Sequence, residues 1–268
     1  MVVFPNCKIN IGLDILEKRA DGFHNLETIF YPVPWMDILE IIPSEKEEFI
    51  FEGNAIDCPL NDNLCYKAYQ LLKNDFSIPA ITLFLYKNIP SGAGLGGGSA
   101  DAAFTLTTLN QLFSLKIDDE KLQQYVSKLG SDCAFFIKNK PVFASGKGNI
   151  FSETDLNLQG YYLLIVKPQI HVSTADAYQM ITPEFPKIYL KEAIKKPISE
   201  WKSCIKNDFE SPVFTRHPKL EIIKNKIYSL GAKYATMSGS GSAIYGLFEN
   251  KIDFKKEFPS EISWMKQL

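Results

Sequence analysis

The sequence predicts an α+β protein of two modules. Three observations carry that expectation. Period-two apolar runs and helical apolar stripes occur in both halves of the chain, no segment repeats another, and a polar stretch without pattern, Glu153 to Gly160, separates the halves. With 268 residues, 46% of them apolar and 22% charged, the chain can bury a substantial core. The patternless stretch sets the modules at 1–155 and 156–268.

Taken in order, "CKINIGLDI" places Cys7, Ile9, Ile11, Leu13 and Ile15 on one face of a strand, with Lys8, Asn10 and Asp14 on the other. Asp21-Gly22 in "RADGFHNLET" signals a turn, and "LETIFYPV" and "DILEII" read as further strands, giving an antiparallel opening. In "DNLCYKAYQLLKND", Leu64, Ala68, Leu71 and Leu72 form a helical stripe that Asp62 is placed to cap. "AITLFLYKNIP" is a strand ending at Pro90. From Ser99 onward, Ala102, Leu106, Leu109 and Phe113 step along one helix face. Asp118 or Asp119 caps the helix "EKLQQYVSKL", and "GSDCAFFI" and a loop, "ASGKGNIF", follow. "YYLLIVKP" restarts as a buried strand, a helix-leaning stretch runs to about Gly231, and "ATMSGSGSAIYGLF" is a Gly/Ser loop running into a strand.

The net charge of −2 offers no general attraction to nucleic acid or anionic lipid, so an anionic ligand must be held by local features. Cys7, Cys58, Cys65, Cys133 and Cys204 are scattered and contain no C-x-x-C pair, which argues against a zinc ribbon or disulfide framework and suits a reducing compartment. The opening "MVVFPNCKIN" lacks the pattern of a secretory leader, and no apolar run approaches the ~18 residues of a membrane span. The expectation is a cytoplasmic protein acting on a small molecule, with no nucleic acid, membrane or obligate protein partner.

"IPSGAGLGGGSADAA", Ile89 to Ala103, has glycine at five of the seven positions from Gly92 to Gly98. A strand, a Gly-rich turn and a helix in that order make an anion cradle: free N–H groups converge at the helix start, where the macrodipole favours negative charge. Ser99 and Asp101 could assist at the helix entrance. The glycines alone leave a ligand-free hairpin or hinge open. The chain has no G-x-x-x-x-G-K-[ST], which excludes the usual P-loop. Gly92, Gly94 and Gly97 do fit G-x-G-x-x-G, with Asp118 and Asp119 further on as in a dinucleotide fold. However, Pro90 and Ser91 separate the glycines from the strand, and the acidic pair sits at a helix start. The protein-kinase glycine loop has the same spacing, but H-R-D and D-F-G do not occur.

Together, "PNCKINIGLDI", "PSGAGLGGGSADAA" and "MSGSGSAIYGLF" resemble the three motifs of the GHMP family of small-molecule kinases, in order and over nearly the whole chain. "RADGFHNLETIF", "LGSDCAFFI" and "NDFE" narrow the resemblance to the branch that phosphorylates the C2 hydroxyl of a cytidine-diphosphate-linked methylerythritol, in the methylerythritol phosphate route to isoprenoids. The resemblance implies a ribosomal-S5-like N-terminal domain, a ferredoxin-like C-terminal domain and a site between them. It implies ATP as phosphoryl donor and Mg²⁺, with Ser99 the candidate metal ligand. ATP would be held by Pro90, Ser91, Gly92, Ala93, Gly94, Leu95, Gly96, Gly97, Gly98, Ser99 and Ala100.

The same resemblance makes Asp132 the base and Lys8 its catalytic lysine. Without it, a helix-capping aspartate and a solvated strand lysine are the ordinary fates of such residues. For the cytidine end it implies Phe23 and His24, with Asn10 orienting the substrate and Tyr178 supplying the opposite face of a sandwich. Many relatives carry Tyr at the position of Phe23, so the ring face is kept and a hydroxyl is lost. His171 is a further candidate for that pocket. The loop Met237 to Ala243 would add main-chain N–H groups near the phosphates or the alcohol.

Overall fold

The computed structural model describes residues 1–54 and 58–268. In chain order its strands and helices are β1 (Val2–Val3), β2 (Asn6–Lys18), β3 (His24–Met36), β4 (Ile38–Pro43), β5 (Glu48–Gly53), α1 (Leu64–Asp75), β6 (Ile81–Lys87), α2 (Gly97–Leu112), α3 (Asp119–Ser127), α4 (Phe135–Lys138), β7 (Val142–Ser145), β8 (Ile150–Glu153) and β9 (Tyr162–Lys167). There follow α5 (Thr174–Gln179), α6 (Leu190–Ala193), α7 (Trp201–Cys204), α8 (Glu210–Arg216), α9 (Pro218–Ser229), β10 (Tyr234–Met237), β11 (Ile244–Phe248) and β12 (Ile262–Gln267). Both halves mix helices and strands, as the α+β expectation requires.

The sequence suggests one cut near residue 155, but compactness divides the chain into two interleaved units. The first comprises Met1–Lys8, Pro34–Ser91 and Gly96–Lys140; the second comprises Ile9–Val33, Gly92–Leu95 and Pro141–Leu268. The interleaving arises because β2 and β3 each give residues to both units.

In the first unit a sheet runs in the order β1-β4-β6-β5, with β5 and β6 parallel and joined through α1. Helices α1 and α2 pack on each other. Of the expected stripe, Ala102, Leu106 and Leu109 are fully buried, each leucine contributing about 1.5–3 kcal/mol by leaving water, while Phe113 is the C-cap of α2 and only partly buried. In α1 the buried side chains are Cys65, Ala68, Tyr69 and Leu72, one step round from the expected face that began at Leu64. The cap also moves by one residue: Asn63, not Asp62, accepts the N–H of Cys65 at 2.9 Å. Asp62 lies in the preceding 3-10 turn and pairs with Lys67. Asp118 caps α3 by accepting the Lys121 N–H. Strand β6 stops at Lys87 and not at Pro90, because Asp37 Oδ1 takes the next two N–H groups, those of Asn88 and Ile89, at 2.6 and 2.8 Å.

In the second unit one sheet runs in the order β10-β11-β9-β12, all antiparallel, and α9 packs against it. Its core draws on Leu164, Val166, Val213, Leu220, Ile223, Ile227 and Ile244. The other sheet has the order β2-β3-β7-β8. Residues 144–151, expected as a loop, belong to the β7–β8 hairpin, with Ala144 opposite Phe151. The β2 alternation is present, but its polar face is not solvated. Lys8, Asn10 and Asp14 are only 2%, 3% and 5% exposed, so both faces of the strand are covered. Among the described residues no helix is long and apolar enough to cross a membrane.

Candidate active site

In the first unit, β2 carries Lys8 and the turn before α4 carries Asp132. Their Nζ and Oδ2 atoms lie 3.2 Å apart. The lysine side chain is 3% exposed and the aspartate 37%, so the ammonium is set in the wall while the carboxylate reaches solvent. Asp132 is not a helix cap: α4 begins at Phe135, its N-cap is Ala134, and no side chain caps it.

The glycine-rich turn adjoins this pair. Gly96 is the N-cap of α2 with φ near +70°, and no side chain caps the helix. The left-handed conformation suits glycine, and the missing cap leaves the first-turn N–H groups for a ligand. A Cβ on Gly96 would sit 3.1 Å from Lys8 Cε, so the turn lies directly against the lysine. Ser99 is half-buried and shares a hydrogen bond with the thiol of Cys133, whose pKa burial pushes up to about 11.

Asp101 is not at the helix entrance. It is the fifth helical residue, and its Oδ2 turns inward to Lys87 Nζ at 2.6 Å. Lys87 also pairs with Asp37, and all three side chains are at most 3% exposed. Such a buried site is stable only because the cation sits between two carboxylates. A cavity of about 140 Å³ opens beside this triad, lined by Asn63, Leu64, Lys87, Ser91, Gly98 and Asp101. The sequence reading passed over Lys87 and Asp37. The signal available was their polarity at the ends of apolar strands: Lys87 closes β6 shortly before the glycines, and Asp37 lies between β3 and β4.

In the second unit, Gly94 (φ +78°) packs so closely on the 237–243 loop that a Cβ would lie 2.0 Å from Ser238 O. Ser238 Oγ donates to Gly94 O and accepts the N–H of Asn10, and Ala243 N–H donates to Ala93 O. The loop is therefore built against residues 93–94. Asn10 is buried, and its amide donates to Thr28 Oγ1 at 3.0 Å.

His24 and Tyr178 stack directly, with centroids 5.0 Å apart and planes 18° from parallel. The two rings lie face to face, one behind the other. No slot for a base lies between these two rings, since a third ring inserted there would need about twice that separation. Burial and Lys18 hold the His24 imidazole below its usual pKa, which favours the neutral ring that can both donate and accept. Phe23 is 57% exposed, with Lys147 Nζ 4.3 Å over its ring. His171 approaches Gly92 in this unit: a Cβ there would lie 3.1 Å from its Nδ1. Among the described residues no group of three or more His, Cys, Asp or Glu is disposed to hold a metal.

Family comparison sets the class. Residues 63–140 match the model for the GHMP kinases N terminal domain, and residues 189–258 match that for the GHMP kinases C terminal domain. Within that class the relatives are narrower still. The chain belongs to the 4-diphosphocytidyl-2-C-methyl-D-erythritol kinase family of GHMP kinases. It is 55% identical to the kinase of that name from Bacteroides fragilis, over 96% of this chain and 97% of the relative. It is 51% identical to that from Parabacteroides distasonis, over the full length of both. The crystal structure of a 4-(cytidine 5'-diphospho)-2C-methyl-D-erythritol kinase superposes with a TM-score of 0.84 at 28% identity, covering 99% of this chain and 98% of that one. Methanococcus jannaschii mevalonate kinase, at 14% identity and a TM-score of 0.71 over 100% of this chain and 98% of its own, shares the fold.

Proposed function

We propose that this chain transfers the γ-phosphoryl group of ATP to the C2 hydroxyl of 4-diphosphocytidyl-2-C-methyl-D-erythritol, giving the 2-phosphate and ADP. The reaction belongs to the methylerythritol phosphate route to isoprenoid precursors. One observation carries the chemistry: the Lys8–Asp132 pair, closed at 3.2 Å, lies against the uncapped glycine turn that starts α2.

Phosphoryl transfer asks a protein for position and charge stabilisation more than for covalent chemistry. The solvent-reaching carboxylate of Asp132 accepts the proton of the attacking hydroxyl. Lys8, held in the wall, offsets the negative charge that develops on the oxygens. The triphosphate lies on residues 90–100, gripped by main-chain N–H groups of the α2 first turn. Phe23, His24 and Tyr178 present the aromatic surface for the cytosine, and Asn10 fixes the loop beside it.

Mg²⁺, when bound, neutralises phosphate charge. Ser99 Oγ is the side-chain oxygen that would hold it. So sparse a set suits an ion held chiefly by the nucleotide's phosphates. The GHMP domain models end at 140 and begin again at 189, which leaves room for the proposed domain boundary near 155. We place the reaction in the cytoplasm.

The test is purified chain with ATP, Mg²⁺ and the cytidine diphospho-alcohol, following ADP release and product mass, with homoserine and mevalonate as rival acceptors. Phosphorylation of the cytidine compound alone is expected. Turnover of a rival in its place would reassign the substrate, and stabilisation by NADH but not ATP would reject the kinase reading.

A further inference from the structure

The "NDFE" segment, Asn207 to Glu210, helps to define the family resemblance yet takes no part in the chemistry described above. Its surroundings give it a task. Asn207 is 3% exposed, and its Nδ2 donates to two carbonyls of the glycine/serine loop, those of Met237 and Gly239, at 2.8 Å each. Its Oδ1 accepts the N–H of Phe209 at 3.0 Å, so both amide donors and the acceptor are engaged. Glu210 grips the same loop from its other side, with Oε1 accepting Met237 N–H at 2.9 Å and Thr236 Oγ1 at 2.8 Å. Lys224 Nζ donates to Glu210 Oε2 at 2.6 Å.

The segment is itself tied to β2. Leu13 N–H donates to Lys206 O, Asp208 N–H donates to Leu13 O, and Ile15 N–H donates to Asp208 Oδ2. A rigid strand therefore holds a short segment, and that segment holds both carbonyls at the base of the loop. The loop's Ser238 in turn holds Gly94 O and the N–H of Asn10.

We propose that Asn207 is a positioning residue for phosphoryl transfer: its carboxamide sets the 237–241 loop, and through Ser238 it sets the Gly92–Leu95 part of the phosphate turn. The inference rests on the kinase reading. A carboxamide is needed because only two N–H donors on one planar group can meet two carbonyls at once. Aspartate has the same shape but presents lone pairs to lone pairs, and it regains a single donor only when protonated.

Asn207→Ala is expected to lower kcat by about 10- to 100-fold, as loss of reactant placement does, with KM for the cytidine alcohol within twofold. Asn207→Asp gives the readout that a merely structural role would not move. Its kcat relative to wild type, assayed well below the Tm at each pH, should climb as the pH falls and the carboxyl gains its proton. Asn110→Ala is the control. Asn110 likewise uses its amide to close a turn, bonding Ile117 O and N–H, and its loss should lower the Tm without lowering kcat.

Hydrogen exchange adds a measurement independent of turnover: in Asn207→Ala, residues 237–243 and 92–95 should exchange faster. Wild-type kcat in Asn207→Ala, a pH-independent ratio for Asn207→Asp, or unchanged exchange in those segments each overturns the proposal. A wild-type protein inactive on the alcohol, with the expected exchange pattern in the variant, overturns the kinase reading and leaves the loop's dependence on Asn207 established.

Discussion

Two lysine–aspartate constellations lie in the first unit, and they differ in what surrounds the carboxylates. Lys87 is sealed with Asp37 and Asp101, all three side chains at most 3% exposed. Lys8 is as deeply buried, but its partner Asp132 is 37% exposed. The sealed group presents almost no carboxylate surface to solvent, and Asp37 Oδ1 is committed to the N–H groups that end β6. The open pair has a carboxylate that a substrate hydroxyl can reach. Charge identity is shared; access separates the brace from the pair to which we assign the chemistry. The sealed group nonetheless serves the open one, since Lys87 precedes the glycine turn, Asp101 follows it, and their ion pair ties its two ends.

The contrast breaks most readily at the open pair. Asp132→Asn is expected to lower kcat by about 10²- to 10⁴-fold, the range for losing a general base, with ATP affinity retained. Lys8→Met should follow it in kcat. Its Tm should shift little, because the aspartate left behind is already in contact with water. At the sealed group the same change, Lys87→Met, strands two buried carboxylates and should cost about 3–5 kcal/mol of stability, read by urea unfolding. If Lys8→Met unfolded the protein while Lys87→Met left the unfolding midpoint in place, the assignment of brace and site would have to be exchanged.

Much of the local architecture was legible because it depends on neighbours in sequence. The period of β2, the Asp118 cap of α3, the buried stripe of α2 and the strand–glycine–helix cradle all follow from patterns a few residues long. What failed to be legible depends on distant partners. Alternation along "CKINIGLDI" separates two faces but cannot say what covers the polar one, so a solvated strand lysine stays open for Lys8, which together with Asn10 is in fact buried. Asp101 reads as a helper at the helix entrance, yet its direction is fixed by Lys87 at the end of a different element. Tyr178 reads as the far wall of a base sandwich, and stacking against His24 makes it part of the same wall. The roles of Lys8 and Asp132 came from resemblance. Residue pattern alone leaves each with an ordinary structural explanation, and only their 3.2 Å approach beside the glycine turn supports the chemical one.

The smallest effect expected, and the finest probe of the comparison, is a pH dependence of stability from the sealed group. Burial is the main cause that raises the Asp101 pKa, opposed by Lys87 and reinforced by Asp37, and the result is about 7 against an ordinary value of 3.8. Between those values the folded chain keeps a proton that the unfolded chain has released. The Asp101 contribution to stability therefore falls as the pH rises from about 4 to about 7, and it is level above that. Asp101→Asn has nothing to titrate and still offers Lys87 an oxygen, while Asp37 remains as the counter-charge. The amide NH₂ that falls at the Oδ1 side finds no acceptor among the described residues, a cost that does not vary with pH. The difference in unfolding free energy, variant minus wild type, should accordingly climb across that interval and flatten above pH 7. Denaturant melts at a series of pH values measure it directly. Parallel curves would mean that Lys87 keeps Asp101 ionised throughout the interval, and that burial does not raise its pKa.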